Sequence, residues 1–131
     1  MSPLINMAFI LLCSTASSSA LAISTLKETE RLWQQNKNRL GYVEYQDEFL
    51  KYNNSLKLDT KDGCYDLNGG KVVMYLIIAK EAVIDSVRTN IENPKAQCFK
   101  RTYTSLPVKA PPFSPLVIKM VMQPSRKTQT K

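Results

Sequence analysis

Val72-Val73-Met74-Tyr75-Leu76-Ile77-Ile78-Ala79 is an unbroken apolar run, and its reading decides the fold. It does not alternate, which suits a strand that is central in a sheet or covered on both faces. Lys80-Glu81-Ala82 interrupts it, and Val83-Ile84-Asp85-Ser86-Val87-Arg88-Thr89-Asn90-Ile91 follows as a second strand. There Val83, Asp85, Val87 and Thr89 point one way, and Ile84, Ser86, Arg88 and Asn90 the other. The two runs read as a hairpin. Beyond them lie a helix-sized segment from Pro94 to Leu106, a corner at Ala110-Pro111-Pro112, and a last strand, Leu116-Val117-Ile118-Lys119-Met120-Val121-Met122. These pieces predict an α+β fold, a small two-layer sandwich. Its three-stranded antiparallel sheet carries helices on one face in the order α-β-β-α-β, with an extra N-terminal helix.

The flanks support this outline. Asn93 suits a helix cap and Pro94 a first helical position. Along that helix Ala96, Phe99, Tyr103 and Leu106 share a face, while Lys95, Lys100 and Arg101 are expected to stay in water. Pro124 has no amide hydrogen and should end the last strand. Residues 125–131 form a basic polar tail that is expected to be disordered.

Upstream, Thr25 and Glu28 have the spacing of a capping box. Leu26, Trp33 and Leu40 recur every seventh residue, with only polar residues between the last two, so the apolar stripe is thin. Gly41 should end or bend this helix. Tyr42, Tyr45, Phe49 and Tyr52 then make an aromatic stripe at helical spacing. Such a stripe can stack on sugars or bases, but at this spacing it better suits a face packed on a sheet. Asn53-Asn54-Ser55 and Lys61-Asp62-Gly63 are turn signals, so residues 55–70 are expected to loop, with a short extended piece at Leu56 to Leu58.

The 131 residues make one small domain, with 44% hydrophobic and 22% charged residues. Residues 1–22 carry no charge, and the formal +7 arises downstream. Leu26 to Asp62 is balanced; the excess of Lys and Arg falls between Gly63 and Lys131. A basic half favours acidic partners, anionic headgroups or nucleic acid. Met1 to Ala22 reads as a secretory signal, with a short apolar region and Ala20-Leu21-Ala22 as the cleavage site. The competing readings are an uncleaved anchor and a lipoprotein at Cys13. Ser14-Thr15 and Ser17-Ser18-Ser19 interrupt an anchor early, and Leu12 is large for a lipidation site. A chain starting near Ile23 would be exported to the periplasm with no stable membrane span. Only Cys64 and Cys98 would then remain, and a structural disulfide between them is expected.

The sequence resembles the C-terminal domain shared by TolA and TonB, and TolA most closely. The residues that carry the likeness are Gly70-Lys71 before a strand, the hairpin, Pro94-Lys95-Ala96-Gln97-Cys98 opening a helix, and Val108-Lys109-Ala110-Pro111-Pro112 before the last strand. It covers about Tyr42 to Met122, leaving residues 23–41 as an added helix. In that family the partner cysteine sits within the first strand, where this chain has Val73. TolA and TonB also have an inner-membrane anchor and a long linker, which are not read in this sequence. The resemblance implies a free-standing binding module that pairs a partner's extended segment with a sheet edge. The edge it nominates is Leu116, Val117, Ile118, Lys119, Met120, Val121 and Met122, with a basic face of Lys95, Lys100, Arg101 and Lys109 steering acidic partners. By resemblance the partners are periplasmic or outer-membrane-associated proteins of the Tol–Pal type, or colicin and phage coat segments. The alternatives are a decoy or immunity-type protein, or a basic binder of anionic envelope polymers. Export argues against nucleic acid.

Catalysis is not expected. The chain contains no His, no nucleophile elbow and no Gly-rich phosphate loop. Asp59, Asp62 and Asp66 cluster near a turn without the periodicity of a calcium loop. No metal or cofactor is expected.

Overall fold

Strand β1 (Val72–Ala79) occupies the middle of a three-stranded antiparallel sheet. The computed structural model describes residues 25–123. The signal at Met1–Ala22 and the basic tail at residues 125–131 lie outside the described residues. β2 (Val83–Thr89) and β3 (Leu116–Met122) flank β1, giving the order β2-β1-β3. Among the described residues three α-helices accompany the sheet: α1 (Leu26–Asn36), α2 (Tyr42–Leu56) and α3 (Pro94–Tyr103). A 3-10 turn spans Cys64–Asp66.

The central position explains why β1 does not alternate. Val72, Met74, Leu76 and Ile78 turn to the main core with Phe49, Ala96, Phe99 and Tyr103. Tyr75 and Ile77 turn to the other face, where they meet Val117, Val73, Leu32 and Trp33. Helices α2 and α3 therefore share one face and α1 covers the opposite one. The added N-terminal helix makes a third layer.

In β2 the register shifts between Ile77 and Ile78, so that Ile77 faces Ser86 and Ile78 faces Ile84. Asp85 is the extra residue of a β-bulge. The bulge returns Ile84 to the same side as Val87 and Thr89, all three buried. Strict alternation predicted Ile84 on the opposite side. The hairpin turn closes through Ala82 N–H to the Ala79 carbonyl at 3.0 Å.

Helix starts follow the expected chemistry. Thr25 Oγ accepts from Glu28 N–H at 3.0 Å, and Asn93 Oδ1 accepts from Ala96 N–H at 2.8 Å. The inward face of α1 is Thr29, Leu32, Trp33 and Asn36, at steps of three, one and three. Thr29 and Asn36 are buried, whereas Leu40 lies beyond the helix and is 95% exposed. The seventh-residue stripe is thus corrected: half of the packed face is polar. Helix α3 ends at Tyr103, and Leu106 leaves it to offer its carbonyl to Ile84. Residues 56–58 are not extended; α2 runs to Leu56 and Lys57 closes it in the left-handed conformation.

Cys64 and Cys98 form a disulfide with a Cα–Cα separation of 5.5 Å, tying the 3-10 turn to α3. The aromatic stripe of α2 does pack inward, and its hydroxyls do more. Tyr42, Tyr45 and Tyr52 donate to the backbone carbonyls of Val117 (2.8 Å), Lys109 (2.6 Å) and Pro107 (2.9 Å). A segment with prolines at 107, 111, 112 and 115 cannot form a full ladder, so its carbonyls need other donors. Tyr45 and Tyr52 supply two of them.

Candidate partner-binding margin

β3 pairs with β1 without irregularity, from Val72↔Met122 to Ile78↔Leu116. In an antiparallel pair, successive residues turn their N–H and C=O to alternate sides. Leu116, Ile118, Met120 and Met122 turn theirs to β1; Val117, Lys119 and Val121 turn theirs outward. That outward row is the margin nominated from the sequence.

The chain's own helices close part of it. Val117 N–H donates to Asn36 Oδ1 at 2.7 Å, and Val117 C=O accepts from the Tyr42 hydroxyl. Asn36, at the end of α1, and Tyr42, at the start of α2, are 1% and 2% exposed. Trp33 packs at this corner against residues of both faces of the sheet. Leu116, Val117 and Ile118 are completely buried. The nomination of Leu116 to Met122 as one bare edge is corrected accordingly: at Val117 two side chains stand where a neighbouring strand would. At Lys119 and Val121 no described residue takes the outward N–H or C=O, and the Val121 side chain is 48% exposed.

Lys119 is not a free steering charge. Its ammonium lies 4.5 Å from the Trp33 ring centroid and 5.6 Å from that of Tyr75, with Glu30 at 3.8 Å. Lys37 stacks on Trp33 at 4.5 Å as well. The Tyr75 hydroxyl donates to Glu30 Oε1. That bond, above all, holds the Glu30 carboxyl below the usual carboxylate range, and Lys119 adds to the effect. Burial, followed by the Glu30 contact, pushes the Tyr75 phenol up. Together these contacts pin α1 across β3.

The outer edge of β2 is also half closed, by an antiparallel bridge between Val83 and Pro107. Ile84 N–H donates to Leu106 C=O at 2.9 Å, and Ile84 C=O accepts from Ser105 N–H at 2.8 Å. Val87 and Thr89 turn outward beyond this clasp, next to the Asp85 bulge. A bulge twists an edge away from a flat neighbour, so β3 is the more regular margin.

The proposed basic face does not assemble. Lys95 is 1% exposed, its stem packed and its ammonium 5.8 Å from the Tyr65 ring centroid. Lys100 pairs with Glu92 and Lys109 with Glu48, each at 2.7 Å. Arg101 stays exposed as expected. Lys95 does not stay in water with Arg101: it packs at Gly69, where an added Cβ would lie 3.0 Å from Lys95 Cβ.

An open groove of about 400 Å³ runs between α2 and the segment leading from α3 to β3. Tyr45, Phe49, Tyr52 and Val108 line it, with Glu48, Lys51 and Lys109 at the rim. Burial, with the Glu48 charge second, pushes the Tyr45 phenol up to about 12. Among the described residues no group of three His, Cys, Asp or Glu side chains could hold a metal. The acidic cluster has a structural use, since Asp62 accepts from the Thr102 hydroxyl at 2.6 Å. No helix among the described residues is long and apolar enough to cross a membrane. The chain matches no protein-family model, no curated protein and no solved structure.

Proposed function

We propose that this protein is a non-catalytic, TolA-like binding module of the periplasm. It takes an extended segment of an envelope protein as a fourth strand, on β3 at Lys119 to Met122. One observation carries the reading: the outward N–H and C=O of Lys119 and Val121 meet no described residue. Strand backbone with no partner among the described residues is a template for β-augmentation. The half-exposed Val121 side chain adds apolar contact area beside it. The Cys64–Cys98 disulfide fits an oxidising compartment.

A charge-driven binder of anionic polymers is the weaker alternative. Of its four nominated cations, Lys95 is buried and two others are ion-paired.

The test is capture of partners from envelope extract by the chain, at low and high salt, beside Val121→Pro. Proline at 121 removes an outward donor and leaves the β1 ladder intact. Retention in salt with loss in Val121→Pro is the expected result. The opposite pattern supports the polymer binder and rejects strand addition.

A further inference from the structure

Asn36 and Tyr42 stand where the backbone of an incoming strand would stand. An added strand offers β3 a carbonyl for each outward N–H and an N–H for each outward carbonyl. At Val117 the Asn36 side-chain oxygen is that acceptor, at 2.7 Å, and the Tyr42 hydroxyl is that donor, at 2.8 Å. Both bonds are buried, and neither residue belongs to a strand. The next outward position toward the start of β3 is residue 115, a proline with no N–H. Without Asn36 and Tyr42 the usable margin would therefore begin at Val117.

We infer that Asn36 and Tyr42 act together as a strand stop. They set the register and length of the segment bound on β3, confining it to pairing with Lys119 and Val121. This rests on the strand-addition reading and names the determinant of its specificity. The partner it fits is a short extended segment whose chain turns away before Val117, because the Asn36 and Tyr42 side chains occupy that pairing position.

The test selects random dodecapeptides displayed on phage against four forms of the full chain: unaltered, Asn36→Ala, Tyr42→Phe and the double variant. Binders are then synthesised, titrated against all four forms, and mapped by amide hydrogen exchange. Binders of the unaltered chain are expected to protect the Lys119 and Val121 amides. Binders selected on Asn36→Ala should also protect the freed Val117 amide. One regained backbone bond is worth roughly threefold in affinity and two roughly tenfold. Single variants should therefore bind the longer segments about threefold tighter than the unaltered chain, and the double variant about tenfold. Tyr42→Phe keeps the ring in the core, so the comparison stands even where Asn36→Ala fails to fold. Binders that protect Lys119 and Val121 equally in all forms, with no gain in affinity or at Val117, overturn the strand stop and leave strand addition intact. Binders that never protect Lys119 or Val121 overturn strand addition and the stop with it.

Discussion

Ala82 and Gly41 show how single backbone positions carry this fold, and with opposite signs. Ala82 closes the β1–β2 hairpin at φ 66°, a left-handed conformation that costs a side chain with a Cβ about 1 kcal/mol. Ala82→Gly should therefore raise stability by roughly 0.5–1 kcal/mol, seen as a higher urea midpoint at unchanged slope. Gly41 holds φ +90° between α1 and α2, and a Cβ there would lie 3.1 Å from Pro112 Cβ. Gly41→Ala should lower stability by roughly 2 kcal/mol in the same assay. The caps at Thr25 and Asn93 were legible in the sequence because capping depends on residue type and local spacing alone. The burial of Asn36, Thr29 and Lys95 was not. Polar letters signal solvent in a hydropathy pattern, and each of these is buried through a contact the pattern does not contain. For Asn36 that contact is with Val117, 81 residues away.

Among the elements, the outer strands and the disulfide invite the sharpest tests. Val121→Pro deletes an outward N–H, whereas Met120→Pro deletes a bond to β1. Met120→Pro should destabilise the protein by roughly 3 kcal/mol or more, and Val121→Pro by far less, compared by thermal melts. Equal losses would mean that the outward row is paired. The Cys64–Cys98 bridge spans a sequence separation of 34. Loop-closure entropy then predicts that replacing both cysteines by Ala lowers stability by about 3–4 kcal/mol in urea titrations. The bounds of β1 and β3 could be read from hydrophobic runs, because β1 is covered on both faces and β3 nearly so. The alternation in β2 could not, since one inserted residue at Asp85 reverses the sides and nothing local in the sequence announces it. Strand β3 was legible in the chain, but the partial closure of its outer edge depends on how α1 crosses the sheet. That crossing is set by Trp33, Lys119 and Glu30, which come from two distant segments.

The molecule as a whole is an unusually tyrosine-dependent assembly. Burial raises the phenols of Tyr42, Tyr45, Tyr65, Tyr75 and Tyr103 above the usual value of 10.0. A raised folded-state value means the native form keeps its protons while the unfolded chain releases them. Stability is then fully present below pH 10 and is lost as pH rises from there through the folded values, about 12 for Tyr45. Ultraviolet titration should therefore show phenolate appearing together with loss of far-ultraviolet circular dichroism. Early, independent ionisation of all five would contradict their burial. The same tyrosines constrain how the chain acquires its shape. The hydroxyls of α2 reach partners 75, 64 and 55 residues onward, and β1 pairs with β3 across 38 to 50 residues. A chain made N-terminus first thus presents α1 and α2 before any of these acceptors, and the α2 hydroxyls are held only once residues 107–117 have followed. Chains halted after Ser105 should leave α2 amides exchanging freely. Closure of the fold therefore comes late, as expected where the holding contacts lie far apart in sequence.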